Sequence, residues 1–217
     1  MIPAFLALLL ASSAWAGPAA AVRGAAKAAP VVPGPIVAGV ESDAVEAAYA
    51  AWAATRGAKG ADAQLACRPF APSAVLCFRW LDGEIARWLT RARAPDLAVV
   101  EVAAAARGAA AAERLAPNTV EGFRARWWLA SGAGDEHAAL LTPAAITAKI
   151  GSADWVAGTP ARGVLVVWVP GDPEFDKVVA VGVRRLYDAA GDEAVSPTIW
   201  RWTGLEWESW GRARVVE

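Results

Sequence analysis

The chain is poor in the residues that build metal centres. Its 217 residues include one histidine, His137, two cysteines, Cys67 and Cys77, and one methionine. Zinc sites made from His and Cys clusters, haem attachment and Fe–S ligation are thereby excluded. A basic surplus is missing too, since 21 Lys and Arg stand against 22 Asp and Glu. Holding nucleic acid by its phosphates needs such a surplus, so nucleic acid is not an expected partner. The sequence contains no G-x-S-x-G elbow and no glycine-rich phosphate cradle. No run outside the N-terminus approaches the roughly 20 apolar residues of a membrane span. The nearest, residues 103–112, is interrupted by Arg107.

Alanine and tryptophan are abundant instead. Alanine supplies about a quarter of the chain, and there are 12 tryptophans. Hydrophobic residues reach 56%, which excludes disorder over the whole length.

Residues 1–16, MIPAFLALLLASSAWA, have the short apolar core of a secretory signal peptide, with Ala14-Trp15-Ala16 as a small-x-small cleavage site. The α-amino group is the only positive charge ahead of that core, so an uncleaved N-terminal anchor is the alternative. Residues 17–40 are rich in Ala, Gly and Val, carry four prolines, and read as an extended linker. Residues 41–217 then form a single domain, or two packed sub-halves, 41–116 and 117–217. The expected location is periplasmic or extracellular, with no membrane span once the signal is cleaved. There Cys67 and Cys77 are expected to form a disulfide. Its short loop contributes on the order of 2–3 kcal/mol. Two buried free thiols are the alternative.

Residues 43–56 read as a helix with an Asp43/Glu46 capping box and an apolar stripe of Val45, Tyr49, Trp52 and Ala53. Residues 74–80 and 84–89 form a hairpin across Asp82-Gly83, which the disulfide ties to the preceding segment. Residues 96–115 are helical, with Gly108 as a kink or break. Residues 122–130 and 137–141 are expected to pair as strands across a turn at 131–135. Thr142-Pro143 opens a short helix to about residue 150. Residues 163–169 suit a central strand buried on both faces. Asp172-Pro173 caps a helix to about residue 190, with Val178, Val181, Leu186 and Tyr187 toward the core. Residues 198–202 and 206–210 close the chain as a hairpin. The fold class is α+β, a mixed or antiparallel sheet built from hairpins with interspersed helices.

Three pieces, ASGAGDEHAALL, GTPARGVLVVWVPGDPEF and VSPTIWRWTGLEWESW, lie in the stretch 127–210. With these, the stretch resembles the YtpQ-type family of bacterial domains. AVLCFRWLDGEIARWL resembles an earlier section of that family more weakly. The most distinctive pieces are Pro160-Ala161-Arg162 and residues 196–202. The resemblance implies no activity, cofactor or catalytic residue. The export signal and the cysteine pair depart from the usual members, which look cytoplasmic.

The candidate chemistry is sparse. His137 lacks a nominated serine and reads as a surface or edge-strand histidine. Asp172, Glu174 and Asp176 loosely match alternating calcium ligands, but a helix start is the simpler reading. Arg162 and Arg201 are candidate clamps for a carboxylate on a ligand or partner, or else members of internal ion pairs. Trp200 and Trp202 share one face of a strand, and Trp207 and Trp210 lie on opposite faces of the next. They offer a platform for sugar rings or apolar peptide, or bulk to fill an alanine-rich core. No catalytic residue, metal or cofactor is assigned. The expected function is non-enzymatic binding in the cell envelope, with an envelope protein or a glycan as partner. The alternative is a hydrolase whose carboxylates converge in space on a carbohydrate or peptide.

Overall fold

The computed structural model describes residues 34–212 except 72, 73 and 84. The signal reading and most of the linker lie outside the described residues. Antiparallel strands form two sheets. β1 (Ile36–Ser42), β2 (Cys67–Ala71), β3 (Ala74–Asp82) and β4 (Ile85–Trp88) make a four-stranded sheet in which β3 pairs with all the others. β5 (Ala116–Thr119), β6 (Arg126–Ser131), β7 (Trp155–Gly158), β8 (Val164–Trp168), β9 (Thr198–Trp202) and β10 (Trp207–Arg212) make a six-stranded sheet. Its order is β10-β9-β7-β8-β6-β5. Among the described residues four α-helices accompany them: α1 (Val45–Ala54), α2 (Leu97–Glu113), α3 (Pro143–Ile150) and α4 (Pro173–Ala189). The fold is α+β.

One core joins the two sheets. Ile36, Leu76 and Phe78 from the smaller sheet pack with Trp155, Leu165 and Trp200 from the larger, across α2 and α3. The two sub-halves therefore share their main apolar contact.

Helix α2 shows why so much alanine is used. Its buried positions are Val100, Ala104, Gly108, Ala111 and Ala112, a narrow stripe of small side chains along one face. Gly108 does not break the helix. A Cβ there would stand 2.2 Å from the Ala138 carbonyl oxygen, so the glycine permits close backbone approach. Arg107, which interrupts the alanine run, and Arg114 both pair with the buried Asp135 and lock that approach.

Several sequence expectations are corrected. Ile36–Val40 belongs to β1 and is buried, so the linker ends earlier than residue 40. Asp43 makes no cap for α1; the amide of Ala44 donates to Ser42 Oγ instead. Residues 137–141 are not a strand. Glu136–Leu141 is a 3-10 helix buried against α2, and the partners of β6 are β5 and β8. In α4 the core face is Phe175, Val179 and Val183, one step round from the expected stripe, and Val178 and Leu186 are exposed. The 163–169 strand, by contrast, is β8, between β6 and β7. No helix among the described residues is long and apolar enough to cross a membrane.

Candidate functional site

Cys67 and Cys77 form a disulfide at directly paired positions of β2 and β3. Along with Leu65 and Val75 they make a buried floor on which Val45 and Tyr49 of α1 and Trp88 of β4 rest. The apolar stripe of α1 is thus only half satisfied. Ala53 is buried, while Trp52 stays 50% exposed with its ring 5.4 Å from Tyr49.

Beyond that floor β4 is an edge strand, because among the described residues it pairs with β3 alone. The Asp82-Gly83 turn, with Gly83 at φ +62°, folds it back. An open groove of about 730 Å³ runs along this edge. Four aromatic side chains, Tyr49, Trp52, Trp80 and Trp88, line it. Its polar groups are Asp62, Asp82, Arg87, Arg93 and Thr90. Arg87 Nε donates to Asp82 Oδ2 at 2.8 Å, and its guanidinium lies 5.8 Å from the Trp80 ring centroid. The Arg56 guanidinium covers Trp52 at 4.2 Å, and that of Arg79 covers Trp88 at 4.0 Å. Thr90 is 8% exposed, and its Oγ1 has no hydrogen-bond partner. That oxygen is closed off from the groove, like the unpartnered Thr159 Oγ1 and Trp200 Nε1 in the interior.

A smaller cleft of about 400 Å³ lies on the other side of Trp88, lined also by Arg79, Arg162 and Glu193. Arg79 is ion-paired with the buried Glu41, and burial pushes its guanidinium down to about 9. Both clefts converge on β4.

The residues singled out from sequence fall elsewhere. Arg162 faces Glu193 at 3.5 Å and is partly exposed. Arg201 holds Asp154 through two hydrogen bonds of 2.8 and 2.6 Å, which keep the Asp154 carboxyl below its ordinary range. Both arginines have carboxylate partners within the chain. Trp200 is fully buried and has no surface to offer a ligand; Trp202 packs with Trp155 and Trp207. Trp207 and Trp210 do take opposite faces, the first in the main core and the second against Trp168 beneath α4. Asp172 caps α4 by accepting from the amides of Glu174 and Phe175. Asp176 accepts from Trp168 Nε1 and the Gly171 amide, and burial raises its carboxyl. Among the described residues no group of three or more His, Cys, Asp or Glu is placed to hold a metal.

His137 is neither at the surface nor on an edge strand. It is 4% exposed, and its Nδ1 accepts from the Val40 amide at 3.3 Å. Nε2 faces the carbonyls of Val164 and Ala161 at 2.9 and 3.1 Å, so Nε2 carries the proton. A second proton on Nδ1 would oppose an N–H, and burial pushes the imidazole down to about 4. Both ring nitrogens are taken, which leaves no free lone pair for a general base.

The chain matches no protein-family model, no curated protein and no solved structure.

The groove along β4 lies away from the C-terminal tryptophans, where the sequence pattern suggests a platform. One signal was there: Trp80, Arg87 and Trp88 sit in a hairpin with Asp82 at its turn. Aromatic and planar charged groups alternate across that short edge strand.

Proposed function

We propose that the protein is an exported, non-enzymatic binding domain of the cell envelope that takes a glycan in the aromatic groove along β4. The resemblance to the YtpQ-type family belongs to the same proposal. The observation that carries it is the juxtaposition of the half-exposed Trp52 and the partly exposed Tyr49 and Trp88 with the Asp82–Arg87 pair in one open groove, above the buried Trp80 and Thr90. A pyranose presents C–H faces that stack on aromatic rings and equatorial hydroxyls that pair with carboxylate, guanidinium and hydroxyl groups. The disulfide supports an oxidising compartment. The pinned His137 offers no general base, so the hydrolase alternative would rest on carboxylates alone.

The test is co-sedimentation of the purified protein with peptidoglycan sacculi and insoluble chitin, followed by titration with soluble chito-oligosaccharides. Tryptophan fluorescence should change on binding. Trp52→Ala and Trp88→Ala should each weaken binding at least tenfold, while Trp202→Ala should leave it unchanged. Retention on none of these glycans, or equal loss from Trp202→Ala, would overturn the reading. Competition by an extended peptide but not by oligosaccharide would assign the β4 edge to strand addition instead.

A further inference from the structure

The two faces of the six-stranded sheet are covered unequally. One packs into the main core, while on the other α4 is the helix that contributes buried residues. Strands about 4.8 Å apart make six of them span roughly 24 Å. A helix is only about 10 Å across, so one helix cannot cover that face. Phe175, Val179 and Val183 place α4 over Val156, Val166 and Ile199, toward β7, β8 and β9. On its β6 side a groove of about 580 Å³ remains between α4 and the sheet.

Val120, Trp127 and Val166 line the groove from the sheet side, and Val178 and Leu186 line it from the helix. Val178 and Leu186 are 42% and 41% exposed, a second apolar stripe beside the buried one. Gly182 lies between them in sequence, and an added Cβ there would meet nothing within 4 Å. Glycine is the poorest helix former after proline, yet sterics do not require it at this position. What it does is keep the groove open. Lys177 and Arg185, both exposed, belong to the same lining, against one acidic residue, Glu174. Neither cation is ion-paired among the described residues, whereas Arg184 beside them is paired with Asp188.

We propose that this groove binds a single-chain fatty acid, its alkyl chain between α4 and β6 and its carboxylate at Lys177 and Arg185. The volume and the apolar lining with a few charged groups suit a small ligand. A second copy docked about a two-fold axis would set this cationic rim against itself. This inference is independent of the glycan reading, since it concerns the opposite sheet.

Laurate, dodecanol and dodecyltrimethylammonium, each below its micelle concentration, are titrated into the purified protein by calorimetry. Laurate should bind one to one and at least tenfold more tightly than the cationic amphiphile. Gly182→Leu, which fills the groove while favouring the helix, should abolish binding and keep the melting temperature or raise it. Lys177→Glu with Arg185→Glu should weaken laurate at least tenfold and leave dodecanol unchanged. Equal binding of all three amphiphiles, or laurate binding that survives Gly182→Leu, would overturn the proposal. Self-association dispersed by Gly182→Leu would overturn it in favour of a second copy. Sedimentation with phosphatidylglycerol vesicles without binding of free laurate would overturn it in favour of a membrane surface.

Discussion

The four-stranded sheet and its helix α1 carry Trp52, Trp80 and Trp88; the six-stranded sheet carries eight tryptophans, from Trp127 to Trp210. In the larger sheet Trp155, Trp168 and Trp200 are fully buried. They meet other aromatic rings edge-on: Trp155 with Trp207, Trp168 with Trp210, and Trp200 with Phe70. In the smaller sheet Trp52 and Trp88 have arginines over their rings and a groove beside them. The difference comes from what covers each surface. The larger sheet packs one face into the main core and part of the other beneath α4, so Trp155, Trp168 and Trp200 fill volume that alanines leave empty. Among the described residues no strand pairs with the free edge of β4, and Trp52 and Trp88 stay partly exposed while Trp80 is buried.

The sharpest way to break this contrast is Trp155→Ala against Trp52→Ala. Trp155 is fully buried, and its Nε1 donates to Thr147 Oγ1 at 3.1 Å. Its loss should cost about 3–5 kcal/mol, as for other large-to-small core changes. Trp52→Ala should cost less than about 1 kcal/mol, because half of that side chain is already in water. Urea unfolding of both variants measures the difference. Comparable losses would mean that the groove tryptophan is structural.

Acidification probes the junction of the two sheets, where His137 ties the Val40 amide of β1 to the Val164 carbonyl of β8. The unfolded imidazole titrates near 6.5 and the folded one at about 4. Between those values the unfolded chain takes up a proton that the folded chain refuses. Stability is therefore fully present above pH 6.5 and falls as pH drops toward 4, by about 2–3 kcal/mol from this group. His137→Gln should flatten that part of the stability profile and lower the plateau. An unchanged slope would show that other groups carry the pH dependence.

Reducing the disulfide tests the smaller sheet alone. Its loop of 10 residues should be worth on the order of 2–3 kcal/mol. Hydrogen exchange should quicken first in β2, β3 and α1, which rest on the disulfide floor, and least in β7 and β8. Uniform loss of protection would show that the two sheets unfold as one unit.

The contrast also explains what could be read in advance. The β3–β4 and β9–β10 hairpins, α2, α4 and β8 were legible because turn residues, caps and apolar runs are local signals. The disulfide was expected from an even pair of cysteines in a chain read as exported. The short strands β5 and β7 carry no such signal: Ala116–Thr119 is polar and exposed in part, and Trp155–Gly158 gains its burial only from neighbours far away in sequence. Glu136–Leu141 has strand-like apolar content, and only the close approach of Gly108 makes it a buried 3-10 turn. The candidate site was illegible for a related reason. Which tryptophans are covered depends on layers formed by distant segments, and a count of tryptophans does not contain that.

The smallest expected stability effect sharpens the groove itself. Asp82 and Arg87 are about half exposed and joined across the β3–β4 hairpin. An exposed pair of this kind contributes less than about 1 kcal/mol, so Arg87→Ala and Asp82→Ala should barely move the melting temperature. A double-mutant cycle should give a coupling of a few tenths of a kcal/mol. If the groove holds a glycan, the same substitutions should weaken chito-oligosaccharide binding far more than they weaken folding, because a bound ligand excludes water from the pair and raises its worth. A large loss of stability with unchanged glycan binding would turn Asp82 and Arg87 into a turn clasp. It would leave the aromatic rings as the only part of the groove that still argues for a ligand.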